Sequence, residues 1–380
     1  MNSRILVIPV MLASVVVIAA SVNNGVAAAG GKLETATTTS WDHTAAAAYL
    51  DSRQVWWQSW PKAQRDHQTV CISCHTALPY ALARPALRQQ SGEQNLAAPE
   101  QIMFNYIAKR VTLWNEMEPF YQDGKSGPNK SVESRNTEAV LNALILASYD
   151  ARRNHLTELT KSAFKDAWAV QQQSGDKAGA WIWLNFHNGP WESEVSEYWG
   201  ATMAALAVGI APDNYRNNPE IQGNLKLLRA YLRREYPTQP LVNRIAVLWA
   251  SAKFPGLLTS NERAALLKSI SAAQQTDGGW SATSLGKWQR RDNTPLETRS
   301  DGYATGIIVL ALEQTGMRRL PQVSRGLDWL RHNQSPKEGF WPAWSLNKQH
   351  DPSTDTGRFM SDAATGYAVL ALLDSQEKTR

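Results

Sequence analysis

Cys71-Ile72-Ser73-Cys74-His75 holds both cysteines of the 380-residue chain in one five-residue stretch. Two thiols three positions apart, followed at once by an imidazole, match the spacing needed to add across the two vinyl groups of a porphyrin and to bind its iron from one face. The chemistry expected here is covalent haem c, with Cys71 and Cys74 as attachment points and His75 as iron ligand. Three other uses of the same residues are weaker. A zinc site needs further ligands, and no second Cys pair or His-x-His cluster exists to supply them. A thioredoxin-like redox pair needs a βαβ setting that the surrounding helical pattern does not offer. A plain structural disulfide is the third.

The five residues resemble the attachment motif of cytochromes c, and that resemblance extends no further along the chain. For the sixth iron position the preferred residue is Met117, in the irregular segment Trp114-Asn115-Glu116-Met117-Glu118-Pro119, ahead of Met103, His67 and His43. An open sixth position is the alternative and would suit small-ligand or peroxide chemistry.

The elements that must position these groups read as helix after helix. From Thr44 onward, apolar residues recur at three-and-four spacing with hardly any alternating pattern. Six helical pairs are expected: 45–60 with 76–87, 99–114 with 136–147, 156–173 with 198–208, 219–234 with 240–252, 260–275 with 301–314, and 320–333 with 362–373. In each pair the first helix is amphipathic and charged, as in Lys226, Arg229, Arg233 and Arg234, while the second is nearly all Ala, Leu, Val and Gly. The first kind needs a wet face and the second must be buried all round, which predicts an inner ring of apolar helices wrapped by an outer ring. The fold class expected is all-α, a single α/α toroid of about six hairpins.

The connecting loops repeat. Gln172 precedes Gly179-Ala180-Trp181, Gln275 precedes Gly278-Gly279-Trp280, and Gln334 precedes Gly339-Phe340-Trp341. A Gln near the end of an outer helix and a G-x-W before the next inner helix resemble the QW repeat of squalene–hopene cyclases and the wider terpene-cyclase and prenyltransferase-repeat group. The resemblance covers the chain from Trp168 to its end and implies the toroid. It does not carry the activity, because no D-x-D-D stretch is present and no cysteine is left over for a prenyltransferase zinc site. Ser91-Gly92-Glu93-Gln94-Asn95 resembles the thioester sequence of complement-like proteins, but Ser91 stands where a thiol is needed, so this is a polar loop.

Parallel segments begin the last inner helices, Ser300-Asp301-Gly302 and Ser361-Asp362-Ala363, where Ser or Asp makes a good N-cap. Because six such starts converge on one rim, Glu138, Glu194, Glu197, Asp301 and Asp362 are the candidate catalytic carboxyls. The Cys-His motif precedes the first inner helix and is expected at the same rim.

Residues 1–29, with Arg4 ahead of an apolar run and Ala27-Ala28-Ala29 at its end, read as a secretory signal peptide. Residues 30–43 read as a flexible leader and 44–380 as the toroid. The expected location is the periplasm or beyond, with membrane contact only through an uncleaved signal segment. The formal net charge is +5, or +4 once Arg4 is removed, and the charges are interspersed, so nucleic acid is not an expected partner. The leading function is an exported monohaem c-type protein serving electron transfer or haem-dependent oxidoreduction, with a redox partner protein or a small organic ligand. The alternative is a periplasmic lyase, hydrolase or cyclase-like enzyme acting on a glycan or isoprenoid in a Trp-lined cavity, or a binding module without catalysis.

Overall fold

Alternation of wet and buried helices runs through the described residues of the computed structural model, 41–121 and 129–377. The signal-peptide segment and residues 30–40 of the leader lie outside the described residues. Twelve α-helices are present among those described, and the expected all-α class holds. The odd-numbered helices are α1 (His43–Ser59), α3 (Ala98–Thr112), α5 (Glu158–Ala169), α7 (Gln222–Glu235), α9 (Ser260–Ala273) and α11 (Pro321–His332). The even-numbered helices are α2 (Ala77–Ser91), α4 (Lys130–Arg153), α6 (Ser196–Ile210), α8 (Leu241–Ser251), α10 (Gly302–Gln314) and α12 (Phe359–Glu377). A two-stranded antiparallel ribbon, β1 (Gln64–Arg65) and β2 (Thr69–Val70), pairs Gln64 with Val70 just ahead of α2.

Composition decides which layer each helix joins. In α7 the buried positions are Leu225, Leu228, Tyr231 and Leu232, one stripe at three-and-four spacing on an otherwise charged helix. In α10 every residue from Gly302 to Glu313 is buried, so apolar side chains must meet protein in all directions. The even helices accordingly pack on one another in sequence, α2 on α4, α4 on α6, α6 on α8, α8 on α10 and α10 on α12, and α12 returns to α2. The odd helices lie against them, α1 on α2 and α12, α5 on α4, α11 on α10.

The tryptophans of the three repeats are fully buried structural pieces. Trp181 Nε1 donates to Ala167 O at 2.7 Å, Trp280 Nε1 to Ile270 O at 2.8 Å and Trp341 Nε1 to Leu330 O at 2.7 Å, each satisfying a carbonyl at the end of an odd helix. The glutamine partner is corrected by one position in two repeats. Gln171 and Gln274, rather than Gln172 and Gln275, reach the loop glycine, from Nε2 to Gly179 O at 3.1 Å and to Gly278 O at 2.8 Å; Gln334 does the same to Gly339 O at 2.8 Å. The same three amides also bond the start of the next odd helix, at Asn224 O, Gln322 O and Asp42 O. Each loop glycine has a positive φ, +99° at Gly179, +92° at Gly278 and +77° at Gly339, and comes close to the neighbouring odd helix, where a Cβ would collide.

Candidate functional site

Loops that precede α2, α6 and α12 meet above one end of the even helices and enclose a cavity of about 320 Å³. The first wall is the segment Cys71–His75, expected at this rim and found there. The second is the loop from Leu184 to Glu192, and the third runs from Ser345 to Met360. Trp57, Trp60, Tyr121, Phe186 and Trp191 supply aromatic surface to the lining. Arg291 and Lys348 bring cations to it, and Arg291 Nη2 is spent on a neutral acceptor, Asn188 Oδ1, at 2.8 Å.

His75 is held from several sides. Its ring stacks on Phe359 with centroids 4.0 Å apart and meets the edge of Trp57 at 5.1 Å, while Trp57 Nε1 donates to Cys71 O at 2.7 Å. Nδ1 lies 2.8 Å from Thr76 Oγ1, which donates in turn to Asp362 Oδ2 at 2.7 Å. Burial, with the Arg53 guanidinium second, pushes the His75 pKa down to about 3, so the imidazole is neutral in any ordinary buffer.

The haem expectation fails on this arrangement. Cys71 and Cys74 are separate thiols packed into the core, and burial raises the pKa of Cys71 to about 12 and that of Cys74 well above its ordinary value. Met117, the expected second iron ligand, does not line the cavity; its Sδ sits 3.9 Å from Arg110 Nη1, beside the buried Arg110–Glu138 pair. The weaker choices are placed elsewhere too, with Met103 buried on α3, His67 paired with Asp66 at 2.8 Å, and His43 beside Trp41 at the start of α1. Only His75 of the expected iron ligands faces the cavity. Among the described residues no group of three or more His, Cys, Asp or Glu side chains could hold a metal ion.

The five candidate carboxyls are dispersed rather than gathered. Glu138 is wholly buried on α4 and paired with Arg110 at 2.5 Å, and burial raises its pKa. Glu194 is exposed and paired with His187. Glu197, in the first turn of α6, takes Lys177 at 3.1 Å and Gln172 at 3.1 Å. Asp301 is the N-cap of α10, accepting from Ala304 N at 2.9 Å and Ala282 N at 2.5 Å, with its pKa raised by burial to about 7. Asp362 is not an N-cap, because α12 begins three residues earlier; it reaches the cavity through Thr76 and His75.

Sequence reasoning missed the carboxyl that does line the cavity. Glu192 is half-buried in the second wall, on a tight turn where its N–H donates to Asn188 O at 2.8 Å and its carbonyl accepts from Asn188 N at 2.8 Å and Phe186 N at 2.9 Å. Desolvation raises its pKa to about 7, against smaller opposing effects of Asn188 and Lys130. A carboxyl in this state is a proton donor near neutral pH, which an exposed glutamate is not.

No family model and no curated protein matches the chain. Among solved structures, it is similar to a wild-type glycosidase at 11% identity, covering 88% of this chain and 97% of that one with a TM-score of 0.48. It is also similar to a polysaccharide lyase at 11% identity, covering 90% and 91% with a TM-score of 0.37. A third is a possible member of the GH105 family from Klebsiella pneumoniae subsp. pneumoniae, at 11% identity, covering 90% and 84% with a TM-score of 0.36.

Proposed function

We propose that this protein is an exported glycan-acting enzyme, a hydrolase or lyase built as an α/α toroid, with Glu192 as its general acid. The observation that carries this is the placement of the Glu192 carboxyl in an aromatic-walled cavity, where burial pushes its pKa up to about 7. Cleavage of a glycosidic bond needs a proton on the leaving oxygen, and a carboxyl kept neutral by its surroundings delivers one. Trp57, Trp60 and Trp191 offer apolar surface for the C–H faces of sugar rings, while Asn188, Asn347 and Arg291 offer hydrogen bonds to hydroxyls. The closed cycle of even helices supports the toroid, and the apolar N-terminal run supports export.

The test is release of reducing ends or of unsaturated products from a panel of neutral and acidic polysaccharides. The wild type should cleave at least one, and Glu192→Gln should lower kcat by about 10²-fold to 10⁴-fold, the range of a lost acid catalyst. Undiminished cleavage by Glu192→Gln, or an inert wild type across the panel, would sink the proposal.

A further inference from the structure

We infer that Thr76 and Asp362 are positioning residues that hold His75 with its proton on Nδ1, so that an unprotonated Nε2 faces the cavity and accepts a hydrogen bond from a substrate hydroxyl. This substrate role rests on the glycan-acting function proposed above. The tautomer follows from counting protons along the chain of contacts. Asp362 receives Tyr49 Oη at 2.8 Å and Arg53 Nε at 2.7 Å on Oδ1, and Arg53 Nη2 at 3.1 Å and Thr76 Oγ1 at 2.7 Å on Oδ2. Four donors on two oxygens leave no place for a carboxyl proton, so Asp362 is a carboxylate despite its burial. The Arg53 guanidinium on both oxygens by itself keeps Asp362 ionised, and a carboxylate can only accept, so the one hydroxyl proton of Thr76 is committed to Asp362 and its oxygen can only accept from His75. The proton between Thr76 and His75 must then sit on Nδ1, which leaves the lone pair on Nε2.

The rest of the surroundings holds that state in place. Tyr49 and Arg53 project from α1, Asp355 takes the free end of Arg53 at 2.6 Å, and Phe359 and Trp57 fix the plane of the imidazole. A neutral acceptor on one wall and a neutral carboxyl donor at Glu192 on another give a sugar ring two hydrogen-bonding groups of opposite sense. Orientation of the substrate is then set by which hydroxyl meets which wall.

Histidine-selective ¹⁵N spectra of the full-length protein test the tautomer without any substrate, with His75→Gln used to assign the signal. The wild type and Thr76→Ser should show Nδ1 protonated and Nε2 unprotonated across neutral pH, whereas Thr76→Val should shift His75 toward the Nε2–H form. An Nε2–H signal in the wild type, or no change in Thr76→Val, overturns the inference. On a cleaved glycan, Thr76→Val should lower kcat/KM about tenfold, the effect of one misplaced hydrogen bond, with recovery in Thr76→Ser. If the tautomer is as stated but no glycan is cleaved, the proposed function fails and the positioning stands. If glycan is cleaved and Thr76→Val keeps the wild-type kcat and KM, the positioning role fails alone. Asp362→Asn, should it fold, must move the tautomer in the same direction as Thr76→Val.

Discussion

Holding a glutamic acid neutral near pH 7 leaves a thermodynamic trace. Glu192 has a pKa of about 7 in the fold against an ordinary 4.5, so between those values the folded chain keeps a proton that the unfolded chain has released. Stability from this group is therefore lost as pH rises from about 4.5 to 7, on the order of 3 kcal/mol in all. Glu192→Gln should be more stable than the wild type at pH 8 and should flatten that part of the denaturation-midpoint curve. Asp301 shifts in the same direction, so a smaller slope should remain in the variant. With Glu192 in the proposed role of general acid, glycan cleavage by the wild type should fall as pH climbs through 7, since the acid must carry its proton. A second expectation concerns Arg53, whose guanidinium faces Asp362 in the core: Arg53→Ala should destabilise by about 3–5 kcal/mol, measured by urea unfolding, because it strands a buried carboxylate. Glu192 was not legible in the sequence, because Trp191-Glu192-Ser193-Glu194 contains two glutamates with equal local claims. What separates them is tertiary, one folded into an aromatic wall and the other left in water beside His187. The Cys71–His75 stretch was legible as a rim segment; its chemistry was not, because spacing alone does not show which ligands the fold brings opposite.

At the scale of the element, the loops ending the odd helices carry the specificity of the fold. Gly339 has φ +77°, and a Cβ there would stand 2.4 Å from the Ala45 backbone, whereas Gly92 has φ +70° with nothing within 4 Å. Alanine at both sites suffers left-handed strain, about 1 kcal/mol, but only at 339 must it also push the loop away from α1. Gly339→Ala should therefore lower stability by several times as much as Gly92→Ala, on the order of 3 kcal/mol or more, in parallel thermal melts. All twelve helices among the described residues were legible, since both kinds of apolar patterning survive in the sequence. The repeat glutamine was legible only where it stood alone. In Gln171-Gln172-Gln173 and Gln274-Gln275 adjacent amides compete, and only the turn of the helix selects the one that reaches the glycine; Gln334 has no such neighbour.

For the whole molecule the decisive contact is the return of α12 to α2, together with the pairing of Gln334 and Asp42, where Asp42 N donates to Gln334 Oε1 at 2.7 Å and Gln334 Nε2 to Asp42 O at 2.8 Å. A chain ended at residue 358 loses α12 from between α2 and α10 and strips Phe359 from His75. Calorimetry should show a cooperative peak for the full chain and a broad or absent one for the shortened chain. The closing contacts join residues some three hundred positions apart, and such pairings come late in folding because the intervening chain must first be ordered. The cavity draws its walls from residues 71–75, 184–192 and 345–360, so a nascent chain lacks it until residue 360 has been synthesised. Ligand occupancy would thus separate chains that have passed that point from every shorter one.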